Sequence, residues 1–155
     1  NLIEYEPSTI YVMTDSISSK KKIFNYNIHY INLKHKFGIE EKNGINTTNI
    51  EKTIIDCLFK PEYAGGYSNI IKVIKESNPD WEKIIQYLNH YNKSSLSQKL
   101  GFIIKKTNKK VPQKIITILK SKIKNKIRLI SNQKLKTKYD KEWKIMENIG
   151  NQEWN

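Results

Sequence analysis

IEKTIIDCLFKPEYAGG, residues 50–66, is the stretch that best indicates how this chain folds. Its apolar residues have the spacing of one face of an α-helix, and they are Ile50, Ile54, Ile55 and Leu58. Asn49 can cap the start of this helix, and Pro61 ends it because proline cannot continue the backbone hydrogen bonding. The stretch therefore predicts a short amphipathic helix followed by an abrupt turn.

The turn itself, PEYAGG, contains more glycine than a helix–helix connection needs. Glycine permits positive φ and close approach of backbones. We expect Tyr63 to enter the core, and Gly65 and Gly66 to turn the chain so that the next helix packs back on the first. The alternative is an exposed glycine loop that meets a partner or a phosphate. It is not a P-loop, because no Lys-Ser/Thr pair follows the glycines.

Four more runs with helical spacing follow in the central part of the chain. They are expected to begin near Tyr67, Trp81, Ser94 or Ser95, and Pro112. Asp80 can cap the second of these runs, and proline suits the first turn of the last one. The sequence thus predicts five short helices.

The first third of the chain has the residue pattern of strands. Thr9–Thr14 is rich in β-forming residues, and Ile23–Leu33 alternates partly between apolar and polar residues. Phe37–Glu41 and Ile45–Thr48 flank Asn43-Gly44, a strong two-residue hairpin signal. We therefore expect a small, largely antiparallel sheet.

Near the other end, residues 126–130 (KIRLI) and 143–146 (WKIM) are short strand candidates. We predict a single α+β domain over residues 1–155, with a small antiparallel sheet packed against about five short helices. Its parts would be a β-rich segment 1–48, a helical segment 49–124 and a basic, strand-containing end 125–155.

Positive charge is concentrated in the last third of the chain. Residues 1–102 hold 13 Lys and Arg against 11 Asp and Glu, whereas residues 103–155 hold 15 against 4. Such a surface attracts polyanions without reading sequence. The candidate binding residues are Lys105, Lys106, Lys109, Lys110, Lys122, Lys124, Lys126 and Arg128. The alternative is a solvated, lysine-rich surface with no ligand.

Catalytic and metal-binding patterns are weak in this sequence. None of the three histidines has a second ligand at metal spacing. Glu51 and Asp56 lie on one predicted helix but point about 140° apart, given 3.6 residues per turn. We expect Asp56 to make a structural hydrogen bond or ion pair, for example with Arg or Lys of the C-terminal third. We predict no enzyme activity, no metal and no cofactor. The alternative is a nuclease-like protein that uses Glu51 and Asp56, with Lys52, Glu40 and Glu41 nearby.

Gly101 and Trp143 are predicted to be packing residues. A glycine within a helical pattern costs roughly 1 kcal/mol against alanine, which close packing would explain. Trp143 lies among lysines and could stack on a base, but inward packing is favoured.

The single cysteine, Cys57, excludes an internal disulfide and favours a reducing, cytoplasmic location. No run of 18 apolar residues exists, so we expect no membrane span. The chain starts without methionine, close to a predicted strand, and we expect an upstream segment.

Four segments, taken in order, resemble the C-terminal domain of AbiEi-type antitoxins, the regulator half of type IV toxin–antitoxin and phage-defence pairs. The segments are IEKTIIDC at 50–57, PEYAGG at 61–66, SLSQKLGF at 95–102 and YDKEWK at 139–144, with Asn148 after them. The resemblance extends from about Thr9 to about Asn148. The family often has arginine where this chain has Lys52 and Lys99.

The resemblance implies a transcriptional regulator that normally carries a winged helix–turn–helix upstream. It also implies antagonism of a nucleotidyltransferase-like toxin. We therefore expect a non-catalytic effector domain that acts through a basic surface on nucleic acid or against such a toxin. The alternatives are the nuclease-like protein and a dimerisation domain of a DNA-binding regulator.

Overall fold

The structure, a computed structural model, describes residues 8–15, 21–32, 35–131, 133 and 138–154. Its strands are β1 (Thr9–Thr14), β2 (Lys21–Ile23), β3 (Tyr26–Asn32), β4 (Ile39–Lys42), β5 (Ile45–Thr48), β6 (Ile127–Arg128), β7 (Lys138–Asp140) and β8 (Ile145–Glu147). Its α-helices are α1 (Ile50–Phe59), α2 (Tyr67–Glu76), α3 (Trp81–Tyr91), α4 (Ser94–Thr107) and α5 (Gln113–Ser121). Two 3₁₀ helices cover Pro61–Ala64 and Asn151–Trp154. The α+β class and the five helices are confirmed.

The strands form three small sheets with the orders β1-β3-β2, β4-β5 and β6-β8-β7. The expected antiparallel pairing holds for β2–β3, β4–β5 and β7–β8. It does not hold for β1–β3 or β6–β8, which are parallel. In the first sheet, β2 and β3 are joined by a tight turn, so β2 takes one edge of β3 and β1 pairs along the other in the same direction.

The predicted strand Ile23–Leu33 is divided in two by this turn. Phe24 has a φ of 51° and is 89% exposed, so it leaves the strand. Leu33 lies outside the described residues. In the second sheet, Asn43 and Gly44 both have positive φ, 54° and 76°, as a two-residue type I′ hairpin requires.

Two helices, α1 and α3, begin at the capping residues that the sequence predicts. Asn49 accepts a hydrogen bond from the backbone N–H of Lys52 at 3.0 Å, and Asp80 accepts from the N–H groups of Glu82 and Lys83. These side chains satisfy helix N–H groups that have no partner within the helix. Pro112 lies one position earlier than expected, at the N-cap of α5 rather than in its first turn.

The main apolar core lies between the helices and the third sheet. It includes Leu58, Ile74, Leu100 and Leu119 from four helices, and Ile145 from β8, all at 0% exposure. Strands β1 to β5 contribute no member of this cluster among the described residues. The helices therefore supply most of the buried residues of this core.

The connection after α1 corrects one prediction. Gly65 and Gly66 have φ of 75° and 114°, positive values that glycine adopts without steric cost, which explains why both positions are glycine. A Cβ on Gly66 would meet nothing within 4 Å, so conformation and not crowding requires it. Tyr63 does not enter the core but is half-buried, with its ring 4.5 Å from that of Tyr11. Tyr67 is buried instead, because its hydroxyl can donate to the backbone oxygen of Leu129 at 2.7 Å.

Gly101 and Trp143 pack against each other, as predicted for each. A Cβ on Gly101 would lie 2.1 Å from the Trp143 ring, which is 1% exposed. The backbone of Trp143 is fixed on both sides: its N–H donates to Asp140, and its oxygen accepts from the buried amide of Gln98. The indole thus joins α4 to the third sheet.

Strands β6 and β8 of the third sheet are shorter than the two strand candidates. The sheet also includes β7, which no pattern predicted. Asn148 holds it to the preceding chain: its side chain accepts from the Ile130 N–H at 2.9 Å and donates to the Ile130 oxygen at 2.7 Å. Among the described residues, no helix combines the length and apolar character needed to cross a bilayer.

Candidate nucleic-acid interface

Two of the eight predicted binding residues are neutralised by carboxylates. Lys105 Nζ lies 2.6 Å from Asp140 and 2.8 Å from Glu142, and Lys106 Nζ lies 3.0 Å from Glu147. The hydrogen bond to Asp140 raises the pKa of Lys105, and the bond from Lys105 lowers the pKa of Glu142. These pairs connect the end of α4 to the third sheet, and they leave little free charge.

Lys109 has a structural role at the end of α2. Its Nζ donates to the backbone oxygens of Lys75 and Ser77, at 3.0 and 2.6 Å. The last carbonyls of a helix lack partners within the helix, and a cation there is favoured by the helix dipole. Lys109 is therefore a poor candidate for a phosphate contact.

The other five predicted residues have no carboxylate partner among the described residues. Lys110 lies alone between α4 and α5, whereas Lys122, Lys124, Lys126 and Arg128 fall within seven residues. We call residues 122–128 the basic segment. Lys122 donates to the side-chain oxygen of Asn89, and the Lys126 ammonium lies 4.6 Å from the centre of the Tyr139 ring. Neither contact neutralises a charge.

Glu51 and Asp56 are not brought together. Glu51 is buried and accepts a hydrogen bond from the Asp80 N–H at 2.8 Å, so it holds the start of α3 against α1. Asp56 forms an ion pair with Lys52 of its own helix at 2.7 Å, and not with a residue of the C-terminal third as expected. The i,i+4 spacing places both side chains on one helix face.

Lys52 is the centre of a buried polar cluster. Its side chain is 2% exposed, and its ammonium donates to Asp56 and to the Tyr91 hydroxyl, 3.1 Å away. The Tyr91 hydroxyl in turn donates to the second oxygen of Asp56. Burial, followed by the interaction with Asp56, raises the pKa of Tyr91. A buried charge needs partners of this kind, because desolvation is costly.

This cluster forms one wall of a cavity of about 580 Å³, which we call the aromatic pocket. Besides Lys52, Asp56 and Tyr91, it is lined by Met13, Tyr30, Ile31, Asn32, His35, Phe59, Lys60 and Tyr63. Five of these side chains are aromatic rings, counting the imidazole. No sequence pattern predicted this pocket, because its rings come from one strand, three helices and a loop that are distant along the chain.

Two smaller cavities lie next to the aromatic pocket and are linked to it by shared lining residues. One, of about 450 Å³, shares Phe59 and Lys60 with it. The next, of about 310 Å³, shares Lys99 and Ser131 with the second and is also lined by Arg128. Burial lowers the pKa of Lys99, whose ammonium lies 3.4 Å from the Leu58 oxygen.

The remaining candidates for chemistry are accounted for by packing. The rings of His29, His35 and His90 contact Tyr11, Tyr91 and Phe37, with centroids 5.5, 4.2 and 4.9 Å apart. The described part of the chain holds no group of three His, Cys, Asp or Glu residues that could bind a metal ion. Cys57 packs beside the core, and burial raises its pKa to about 12, which disfavours the reactive thiolate.

Comparisons of this chain with protein-family models, with curated proteins and with solved structures gave no match. The function therefore has to be argued from the site itself.

Proposed function

We propose that this chain is a non-catalytic effector domain that binds nucleic acid through the basic segment, as part of an AbiEi-like antitoxin and transcriptional regulator. The observation that carries the proposal is the clustering of cations without carboxylate partners at residues 122–128. The resemblance of the four sequence segments to AbiEi-type antitoxins supplies the biological setting. In that setting an upstream DNA-binding domain reads the operator, and this domain adds phosphate contacts or opposes a nucleotidyltransferase-like toxin.

The pairing of the other lysines strengthens this assignment. Lys105, Lys106 and Lys120 are held by carboxylates within 3.0 Å, so the positive charge of the last third is not spread evenly. It concentrates where Lys124 and Arg128 are exposed, and the Lys144 ammonium lies beside it, 3.2 Å from the Lys124 oxygen. A polyanion that binds there releases counter-ions, so its affinity falls steeply with salt.

The test is binding of duplex DNA and single-stranded RNA between about 50 and 200 mM salt, with a charge-matched control. The test variant reverses Lys122, Lys124 and Lys126 to Glu. The control reverses Lys22, Lys75 and Lys83, which lie on β2, α2 and α3 and also have no carboxylate partner among the described residues. Both variants change the net charge equally.

We expect the test variant to lose most of its affinity and part of its salt dependence, while the control keeps both. Equal losses in the two variants would show that net charge alone attracts the nucleic acid. Wild-type protein that binds neither nucleic acid at low salt would refute the proposal. Toxin antagonism is tested by expressing both variants beside the toxin of the same operon.

A further inference from the structure

We infer that the aromatic pocket holds one unpaired base of a single-stranded nucleic acid, whose phosphates continue along Lys60, Lys99 and Arg128. This inference rests on the nucleic-acid binding proposed above and deepens it, because it names the form of nucleic acid and the place of one base. It is carried by the ring-lined cavity and by its continuation into two cavities with cationic walls.

The walls of the pocket present rings suited to stacking. Tyr63 is half-buried and faces the cavity, and the ring of Tyr30 makes no ring contact with any described residue. Tyr91 also lines the cavity, and its ring lies 4.2 Å from the imidazole of His35. Stacking on aromatic side chains is the main way in which proteins bind single strands, since every base has a π-face.

The wall of the pocket that the Lys52 cluster forms is polar. Lys52, Asp56 and Tyr91 bind one another, so both carboxylate oxygens already accept a hydrogen bond. They present fixed dipoles without a free charge, which suits a neutral base better than a phosphate. Asn32 is exposed at the rim, where its amide can donate to or accept from a base edge. A volume of about 580 Å³ is within the usual range of ligand pockets.

The exit from the pocket follows the shared residues of the three cavities. Lys60 lines the first and second cavities, Lys99 the second and third, and Arg128 the third. Arg128 belongs to the basic segment, so the path joins the pocket to the proposed phosphate surface. A strand with a base in the pocket would place its following phosphates beside these cations.

Two carboxylates also line the second cavity, Glu62 and Glu153. Glu153 accepts from the Ser68 N–H, whereas Glu62 forms an exposed pair with Lys60 at 3.4 Å. Exposed pairs of this kind contribute little to stability, so a phosphate can replace Glu62 as the partner of Lys60. Glu62 should therefore oppose binding, so removing its charge should increase the affinity for the single strand.

A paired base cannot enter such a pocket, because stacking on the rings requires it to leave its neighbours. The inference is therefore tested with a short single-stranded RNA that carries the fluorescent base 2-aminopurine, the same RNA annealed to its complement, and free adenosine monophosphate. Stacking on an aromatic ring quenches the fluorescence of 2-aminopurine, so binding and stacking are read separately.

The variants are Tyr63→Ala, Tyr30→Ala and Glu62→Gln. The control is Phe24→Ala, which removes a ring that is 89% exposed and does not line the pocket, and thermal unfolding verifies that each variant folds.

We expect the single strand to be quenched on binding, and each tyrosine variant to lose quenching together with about 5- to 150-fold in affinity. Glu62→Gln should bind more tightly than the wild type, and Phe24→Ala should not differ from it. Binding of the single strand with unchanged affinity in both tyrosine variants would overturn the inference, while the proposed function would stand. Tight binding of adenosine monophosphate with no gain from the longer strand would also overturn it. Failure of the proposed function would be recognised separately: the wild type would bind neither nucleic acid, or reversal of Lys122, Lys124 and Lys126 would cost no more affinity than the control reversal.

Discussion

Gly101 provides the sharpest test of how this fold is held together. Replacing it with alanine removes a glycine from the interior of α4, which alone should stabilise the helix by roughly 1 kcal/mol. The new Cβ, however, would lie 2.1 Å from two carbons of the Trp143 ring. The indole would therefore have to move by more than about 1 Å to restore an ordinary contact.

The ring cannot move that far without further loss. It is 1% exposed, and the backbone of Trp143 is held by a hydrogen bond that its N–H donates to Asp140 and one that its oxygen accepts from Gln98. Overpacking of a well-packed core costs about 1–3 kcal/mol. We expect this penalty to exceed the gain in helix propensity, so that Gly101→Ala lowers the free energy of unfolding by up to about 2 kcal/mol net.

The assay is urea unfolding, with Gly101→Ala measured in the wild type and in a Trp143→Leu background. Leucine leaves space for the methyl group, so in that background the same substitution should be neutral or stabilising by up to about 1 kcal/mol. The difference between the two effects is the coupling energy of the pair. A stabilising effect of Gly101→Ala in the wild type, or the same effect in both backgrounds, would refute the reasoning.

Three further predictions concern charges and the thiol. Lys52→Met should lower the free energy of unfolding in urea by about 3 kcal/mol or more, because it leaves the Asp56 carboxylate without its ion pair, and adding Asp56→Asn should recover part of the loss. Glu142→Gln should lower it by less than about 1 kcal/mol at pH 7, since Glu142 is exposed. Because the pKa of Glu142 is lower in the folded protein, that contribution is present above its unfolded pKa and disappears as the pH falls through the folded one, so wild type and variant should become equal in acid. Cys57, whose pKa burial raises to about 12, should react with iodoacetamide far more slowly in the native protein than in urea.

The helices were predictable because their signals are local. Each begins at a capping residue or a turn, and a 3.6-residue period shows which face is apolar, so Asn49 and Asp80 could be assigned from sequence alone. The hairpin at Asn43 was equally local, since two residues with positive φ define it. The parallel pairing of β1 with β3 was not predictable, because residue patterns show that a strand has an apolar face but not which neighbour lies beside it.

The candidate site shows the same limit. Charge counts found the basic segment, but they could not distinguish it from Lys105 and Lys106, whose carboxylate partners lie about 35 to 41 residues away along the chain. The aromatic pocket was missed entirely, since tyrosines in a sequence look alike whether they are buried or line a cavity. Only the folded chain shows that Tyr63 faces the cavity while Tyr67 enters the core.

The burial of Lys52 connects the stability of this domain with its proposed binding. A methionine in its place, paired with an apolar residue at position 56, could pack at similar or lower cost, because buried ion pairs are seldom optimal for stability. The lysine nevertheless holds Asp56 and Tyr91 in one arrangement at one wall of the aromatic pocket. If the pocket holds a base, the double variant Lys52→Met with Asp56→Leu should remain folded and yet lose the quenching of 2-aminopurine. A double variant that is both stable and able to quench would show that this cluster serves the core alone.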